Sequence, residues 1–306
     1  MMSEPRATDL IIVGGGPAGM TAALYAGRAR RSVLVLDEGA PRHAPSPAVH
    51  NYLTQDGTTP ARLREIAWEQ MAAYPNVKRR TARVERLHRD GGLWVADCGP
   101  QGQVRGRAVL LAVGTQDVLP RWPGLTEKWG KSVHFCPYCH GWEMRDRPLA
   151  AFGHGEAIAH FGPLLQQWSR DVVVVTGGTP LSDEARAVLE HNSIPVRDAS
   201  IVALEGPGST LTGMRLSDGT HLARQGLFLA TPQRQAPLVR ALGLETEPSP
   251  FNEDGFVVVD EMQKTSAPML WAAGDLTTPF HQVVFASAAG AKAAVAINMA
   301  LVAGAV

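Results

Sequence analysis

The chain has 306 residues, of which 45% are hydrophobic, and its 29 lysines and arginines equal its 29 aspartates and glutamates. This length accommodates two ordinary domains with full cores, and the balanced charge excludes the basic footprint of a nucleic-acid-binding protein. The opening residues 1–9 are polar and lack the apolar segment of a signal peptide, so we expect a cytoplasmic protein.

The chain opens with the pattern of a nucleotide-binding unit. An apolar run at 10–13 predicts a strand that leads into Gly14-x-Gly16-x-x-Gly19, after which helical spacing begins. In this context the glycines permit a tight turn and the close approach of a pyrophosphate to the helix N-terminus. Asp37 ends the next predicted strand, where its carboxylate can bind a ribose hydroxyl. The motif indicates a dinucleotide cofactor without choosing between NAD and FAD.

The next segments predict a helix, a hairpin and a strand. Helical spacing covers 60–74, alternation around an Asp-Gly-Gly turn predicts a hairpin over 83–98, and 108–113 predicts a strand. Residues 119–124 are rich in proline and glycine and are interpreted as a linker.

A cysteine pair follows this linker. Cys136 and Cys139 have the CxxC spacing that closes a short disulfide, and Pro137 stiffens the loop between them. Structural disulfides are rare in a reducing compartment, so the spacing indicates a redox or a metal site. His140, directly after the pair, can accept a thiol proton near neutral pH.

Three other interpretations of this segment stay open. Cys-x-x-Cys-His is also the attachment string of c-type haem, which requires export. A zinc site would need two further ligands, for which His134 and His140 are candidates, although the sequence has no second CxxC. The third interpretation is a redox-inert pair.

A second nucleotide-type unit comes next, with a strand at 149–152 and a helix and a strand after it. Its turn keeps Gly153 and Gly155. Ile158, however, occupies the third position, where close helix packing needs glycine or alanine.

Two further features weaken this turn as a nucleotide site. Glu156 at the helix start would repel a pyrophosphate. The second strand ends at Thr176-Gly177-Gly178, without the acid that binds a 2′-hydroxyl or the arginine pair that binds a 2′-phosphate. We therefore predict a nucleotide fold with a weakened nucleotide site. The alternative is weak NADPH binding through Arg170 or another arginine.

The C-terminal part predicts strands at 256–260 and 269–273 and one long apolar helix. Residues 283–306 contain a single charge, Lys292, and are rich in alanine, which inserts poorly into membranes. We therefore expect a buried C-terminal helix and no membrane association.

Several motifs stand in the order of a known family. They are the glycine turn at 14–19, the segment 112–115, the CxxC at 136–139, and the segments 272–275 and 281–283. This order resembles the low-molecular-weight thioredoxin reductases, and the resemblance covers nearly the whole chain.

The resemblance implies an α/β fold of two nested Rossmann-like nucleotide-binding domains, each with a three-layer ββα architecture. It implies an FAD-binding domain made of 1–118 and 244–306. An NAD(P)-type domain that carries the CxxC, 119–243, would be inserted between these parts. The resemblance also implies a homodimer. FAD is the expected cofactor, whereas the weakened second turn makes the use of NAD(P)H doubtful.

The resemblance further implies which residues bind FAD. Asp275 would bind the ribitol or the pyrophosphate, Asn51 would touch the isoalloxazine, and His50 is a weaker candidate beside it. Gln282 and Val283 would begin a helix whose positive end faces the flavin. The full predicted set comprises Gly14, Gly16, Pro17, Ala18, Gly19, Asp37, Glu38, Asn51, Val84, Gly114, Gly274, Asp275, His281, Gln282 and Val283. No metal ligand belongs to it.

By the same resemblance, Cys139 is the flavin-proximal cysteine and Cys136 exchanges with the substrate. The usual thioredoxin reductases have an aspartate where this chain has His140, and in this respect the segment is similar to the dithiol oxidases of gliotoxin- and holothin-type natural products. We expect an FAD-dependent dithiol:disulfide oxidoreductase that oxidises a small-molecule dithiol with oxygen or another acceptor.

Two alternatives to this function remain. One is a reductase of a thioredoxin-like protein, driven by NADPH or by a donor other than a pyridine nucleotide. The other is a flavin-bound redox sensor whose CxxC switches conformation without turnover.

Overall fold

The computed structural model describes residues 7–304, except for the side chain of Glu156, so the expected repulsion by that carboxylate lies outside the described residues. The chain divides into two compact units. The first unit consists of the residues up to Ala44, of 52–117 and of 233 onward, and the second unit consists of 45–51 and 118–232.

The first unit begins with strands and helices around a mainly parallel sheet. Its elements up to the first crossing are β1 (Thr8–Val13), α1 (Pro17–Arg28), β2 (Val33–Asp37), α2 (Pro60–Met71), β3 (Val77–Thr81), β4 (Arg86–Asp90), β5 (Leu93–Asp97), a 3-10 turn (Gly99–Gln101), β6 (Gln103–Leu111) and β7 (Gln116–Asp117). β1 lies between β2 and β6 and runs parallel to both. Its apolar run is buried because a central parallel strand is covered on both faces.

The second unit repeats this arrangement. Its elements are α3 (Leu125–Lys128), β8 (Val133–His134), α4 (Pro137–His140), β9 (Leu149–Phe152), α5 (Gly155–Leu165), β10 (Val172–Val175), α6 (Asp183–His191), β11 (Val196–Arg197), β12 (Ile201–Glu205), β13 (Gly213–Leu216), β14 (His221–Leu222) and β15 (Gly226–Leu229). The parallel sheet has the order β11-β10-β9-β15-β8, and β12-β13-β14 form a separate antiparallel sheet. The central β9 lies between β10 and β15, as β1 lies between β2 and β6.

The chain then returns to the first unit. The remaining elements are β16 (Gln233–Arg234), α7 (Pro237–Arg240), β17 (Thr246–Ser249), β18 (Asn252–Val257), β19 (Leu270–Ala272) and α8 (Val283–Val302). β19 pairs with the second half of β6 and extends the first sheet. The predicted end of the inserted domain was 243, but Gln233 already pairs with Asp117 and Asn252 in strands of the first unit. The chain therefore leaves the second unit at Pro232.

The long apolar helix α8 buries one face and exposes the other. By length and composition it could cross a membrane, with a mean hydropathy of 1.5 over its most apolar window, of which 28% is buried. Its buried stripe includes Gly290 and Ile297, whereas Val284, Phe285 and Met299 are exposed. The prediction of a buried helix therefore holds for one face of α8 only.

The contact between α8 and α1 gives a test of this packing. An ideal Cβ at Gly290 would lie 2.0 Å from the carbonyl oxygen of Ala18, so only glycine allows the two backbones to approach this closely. We expect Gly290→Ala to lower the free energy of unfolding by about 1–3 kcal/mol, although alanine favours helix elsewhere. Chemical denaturation measures the change, with Ala288→Val on the exposed face as the control. A variant as stable as the wild type would contradict this packing.

Candidate active site

Cys136 and Cys139 form a disulfide that closes a single helical turn. α4 begins directly after Cys136, and Pro137 takes its first position, where the missing N–H of proline costs nothing. The backbone N–H of Cys139 donates to Sγ of Cys136 at 3.1 Å. Because both sulfurs are in a cystine, this state offers no thiolate to a zinc ion.

His140 directly follows the disulfide and lies in a cluster of polar side chains. Its Nε2 is 3.2 Å from Oγ of Ser46, and its ring centroid is 4.4 Å from that of His134. On another side, the Nε2 of His50 is 3.5 Å from a carboxylate oxygen of Glu143. Burial lowers the pKa of His140 to about 4, with Glu143 opposing the shift and His50 adding to it. The imidazole is therefore neutral at neutral pH and can accept a proton.

Two neighbours hold this cluster in place. His134 is buried and packs on Phe228, and burial together with His140 lowers the pKa of His134 to about 3. Asn51 donates from its side-chain amide to the carbonyl oxygen of Tyr138, between the two cysteines, at 2.7 Å. Asn51, predicted to touch the flavin, thus belongs to the second unit and braces the cysteine turn.

The glycine turn of the first unit is tightly packed on the protein side. Gly14 has φ +105°, and an ideal Cβ at Gly19 would lie 2.0 Å from the carbonyl oxygen of Gly14. Among residues 7–304, in contrast, no heavy atom beyond the chain neighbours lies within 4 Å of an ideal Cβ at Gly16. The backbone N–H of Gly15 donates to Asp37 at 3.1 Å, which ties the turn to the end of β2. This arrangement leaves the turn open to a ligand at Gly16.

A partly buried arginine network lies elsewhere in the first unit. Nη1 of Arg42 is 3.0 Å from Nδ1 of His281 and 3.3 Å from Asp275, while its Nη2 is 2.5 Å from Asp117. Burial is the main cause that lowers the pKa of His281, and Arg42 adds to the effect. His281 is therefore neutral, and Arg42 holds it together with the carboxylate of Asp275.

The glycine turn of the second unit is bridged by a histidine. Nδ1 of His154 lies 2.9 Å from the carbonyl oxygen of Thr176 and 3.1 Å from Oγ1 of Thr179. An ideal Cβ at Gly177 would lie 3.0 Å from the ring of Phe152 and 3.2 Å from that of His154. The imidazole thus connects the carboxyl ends of β9 and β10, where nucleotides bind in such folds.

The residues around this turn agree with the prediction of a weakened nucleotide site. Ile158 is fully buried, and its Cδ1 would lie 3.1 Å from an ideal Cβ at Gly153. Arg170, the candidate for NADPH binding, precedes β10 and lies at the opposite end of the strand from Thr176. At the carboxyl edge, Arg197 donates to the carbonyl oxygen of its own neighbour Val196 at 3.2 Å.

Comparison with known proteins assigns the family. Residues 8–296 match the family model described as pyridine nucleotide-disulphide oxidoreductase. The chain belongs to this family. A probable thioredoxin reductase of Arthroderma benhamiae is 28% identical over 96% of this chain and 80% of its own length. Thioredoxin reductase sirT of Leptosphaeria maculans is 28% identical over 97% of this chain and 95% of its own. The crystal structure of HlmI superposes with a TM-score of 0.90 and 33% identity, covering 97% of this chain and 93% of that one.

As a pyridine nucleotide-disulphide oxidoreductase, this protein is a thiol–disulfide enzyme with a redox disulfide at Cys136–Cys139, and the family implies FAD. The predicted fold of two nested nucleotide-type domains is confirmed. The first unit's turn fits a pyrophosphate because Gly16 is open and begins a helix.

Apart from Asn51, the other residues predicted to bind FAD lie in the first unit. They are Pro17 and Ala18 at the start of α1, Glu38 after β2, buried Val84, Gly114 after β6, Gly274 and Asp275 after β19, and His281, Gln282 and Val283 at the start of α8. An ideal Cβ at Gly274 would lie 3.2 Å from Ala18, so the structure brings the two motifs together. Glu38 is exposed, 4.0 Å from Arg83.

Sequence reasoning missed two arginines of this oxidoreductase. Arg64 on α2 donates to the carbonyl oxygen of Gly15 at 2.9 Å and lies 2.5 Å from Asp37, so it brings a positive charge to the glycine turn. Arg42 stands in a loop without periodicity, and no motif marks either residue. Ser46 and Glu143 of the second unit were missed for the same reason.

Gly16 gives a direct test of the cofactor site. An alanine there has space within the protein, but its methyl group would meet a pyrophosphate that approaches the turn. We expect Gly16→Ala to raise the dissociation constant of FAD at least about tenfold. Quenching of flavin fluorescence measures the constant, and the melting temperature of the FAD-free variant serves as the control. Unchanged FAD affinity would contradict this placement.

Proposed function

We propose that this oxidoreductase uses FAD to oxidise dithiols to disulfides. The observation that carries the proposal is the bridged turn of the second unit, where His154 spans the strand ends and contacts Thr176 and Thr179. With Ile158 at the third position, this turn keeps Gly153 and Gly155 but lacks the small residue that close helix packing around a pyridine nucleotide needs. Without a pyridine nucleotide the electrons must come from another donor, and the redox disulfide supports a thiol substrate in that role.

The disulfide supports the first half of the reaction. A substrate thiolate attacks Sγ of Cys136, the S–S bond breaks, and Cys139 leaves as a thiolate. The second substrate thiolate then attacks the substrate sulfur of the mixed disulfide, which releases the product disulfide and the thiolate of Cys136. The substrate loses two electrons and two protons, and the cysteine pair gains the electrons.

The cluster around the disulfide supports the proton transfers. Because His140 is neutral, it has a bare nitrogen that accepts a proton from a substrate thiol as the sulfurs exchange. When bound, FAD supplies the two-electron chemistry that reoxidises the cysteine pair and passes the electrons to oxygen or another acceptor.

The surroundings of the disulfide support an apolar contact with the substrate. Tyr138 and Trp142 are each 65% exposed beside the cysteines, and the ring of Tyr138 packs edge-on against Trp168. We therefore propose a compact dithiol with an apolar body as the substrate, rather than a charged one. Whether the thiols belong to a small molecule or to a thioredoxin-like protein is decided by comparing the two as substrates.

Oxygen uptake tests the proposed direction. With dithiothreitol as the dithiol probe, we expect steady oxygen consumption and formation of oxidised dithiothreitol. With NADPH and an aromatic disulfide, we expect no oxidation of NADPH. Disulfide reduction coupled to NADPH would instead show a reductase. Reduction of the cysteine pair once per protein molecule, without further turnover, would show a redox sensor.

A further inference from the structure

The hydroxyl group of Ser46 donates its only proton to a backbone carbonyl group. Oγ of Ser46 is 2.6 Å from the carbonyl oxygen of Ala48, and a carbonyl oxygen can only accept. The serine proton therefore points at Ala48. Oγ retains lone pairs, so toward any other neighbour it acts as an acceptor.

Because this proton is already donated, Ser46 can only accept in a hydrogen bond with His140. Nε2 of His140 lies 3.2 Å from the same Oγ, and a hydrogen bond between them needs the proton on the nitrogen. A neutral imidazole has one N–H and one bare nitrogen. With Nε2–H donating to Ser46, Nδ1 carries the lone pair.

We propose that Ser46 is a positioning residue that holds His140 in the Nε2–H tautomer, so that Nδ1 is the atom that accepts the proton of the substrate thiol. This inference rests on the proposed dithiol oxidation. Beyond that function, the inference names Nδ1 of His140 as the atom that accepts the proton and Ser46 as the residue that selects this atom.

The other groups around His140 do not replace Ser46 in this role. His134 lies against the ring, at a centroid distance of 4.4 Å, in a tilted stack that leaves the ring edge to other partners. The ring of His50 is 6.1 Å away and edge-on, and its Nε2 is 3.5 Å from Glu143. A carboxylate oxygen of Glu143 lies within 4.8 Å of a nitrogen of His50 and of a nitrogen of His140, so Glu143 is the negative charge that favours protonated His140.

The tautomer matters for the proton transfer. The S–H bond breaks, its electron pair stays on sulfur, and the proton forms an N–H bond at Nδ1. The resulting imidazolium keeps its Nε2–H···Oγ hydrogen bond, so Ser46 stabilises it without rearrangement. With the proton on Nδ1 at the start, the accepting nitrogen would instead be Nε2, whose lone pair faces Ser46.

NMR of isotope-labelled histidine nitrogens tests the tautomer directly in the oxidised holoenzyme at neutral pH. His140→Gln identifies the signals of His140. We expect a protonated Nε2 and a bare Nδ1 in the wild type. We expect a mixture of tautomers in Ser46→Ala, and recovery of the single tautomer in Ser46→Thr, which keeps the hydroxyl group. Ser209→Ala, at an exposed serine of the same unit, is the matched control.

Kinetics give the second readout. We expect Ser46→Ala to lower kcat/KM for dithiothreitol about tenfold, the loss typical of one hydrogen bond, and Ser46→Thr to restore it. A wild-type protein with the proton on Nδ1, or a Ser46→Ala variant with an unchanged tautomer, would overturn the inference. The wild-type spectrum decides the question even where the alanine variant does not fold. Because the spectrum needs no turnover, it also separates failure of this inference from failure of the proposed function.

Discussion

Replacing Cys139 by serine is expected to stop dithiol oxidation and to leave Cys136 able to keep a substrate sulfur as a stable mixed disulfide. In the variant the Cys136 thiolate attacks a linear probe such as hydroxyethyl disulfide and releases one thiol. The hydroxyl group introduced in place of the Cys139 thiol cannot attack the adduct, so the adduct persists. We expect turnover to fall by a factor on the order of 10³ or more, because the two cysteines act as a unit. Intact-mass spectrometry without reductant detects the adduct.

Two further cysteine variants serve as the comparison and the control for this experiment. Cys136→Ser should be as inactive as Cys139→Ser, and Cys139 should form far less adduct if Cys136 is the exchanging thiol. Cys98→Ala is the matched control, since burial raises the pKa of the Cys98 thiol and keeps it protonated and inert. A stable adduct on Cys139 but not on Cys136 would reverse the two assigned roles.

Replacing His140 by glutamine is expected to slow reduction of the disulfide by a dithiol about 10²- to 10⁴-fold, the usual contribution of a general base. Because burial lowers the pKa of His140 to about 4, the wild-type base is unprotonated at neutral pH. Its activity as a base is lost only as the pH falls through about 4. The wild-type rate should therefore show no acid limb at the ordinary pKa of imidazole.

The measurement for His140 is the pH profile of the anaerobic half-reaction with dithiothreitol. His191→Gln is the control, since His191 is exposed at the end of α6 in the same unit. A His140→Gln variant with the wild-type rate, or a wild-type acid limb at the ordinary pKa of imidazole, would contradict the assigned role.

The parts of the site that were predicted are those whose residues are neighbours in the sequence. The turn from Gly14 to Gly19 and the pair Cys136 and Cys139 each carry their spacing within a few residues, so a motif reveals them. The adjacent position of His140 also led to the prediction that it acts as a base, which stays a prediction. Its lowered pKa was not, because burial depends on the packing of distant segments.

The missed parts are contacts between segments far apart in the chain. Ser46 reaches His140 from 94 residues away, and Arg42 reaches Asp275 from 233 residues away. Single polar residues in loops carry no periodicity that would mark them. The loss of the third glycine at Ile158 was visible in the sequence. The bridge from His154 to Thr176 was not, because it forms only where two parallel strands end side by side.

The domain boundary was misplaced for a similar reason. β7 and β16 have two residues each, too few for an alternating pattern, yet their pairing returns the chain to the first unit at Gln233. The uneven burial of α8 also escaped prediction, since its alanines make both faces apolar in the sequence.

The flavin absorbance of the purified protein under anaerobic conditions tests the central claim most directly. One sample receives dithiothreitol and the other receives NADPH. If the enzyme oxidises dithiols and His154 bridges the glycine turn of the second unit, the dithiol should bleach the flavin absorbance rapidly and NADPH should not. Rapid bleaching by NADPH, with slow or no bleaching by the dithiol, would contradict the proposed function and show that the His154 bridge opens to a nucleotide.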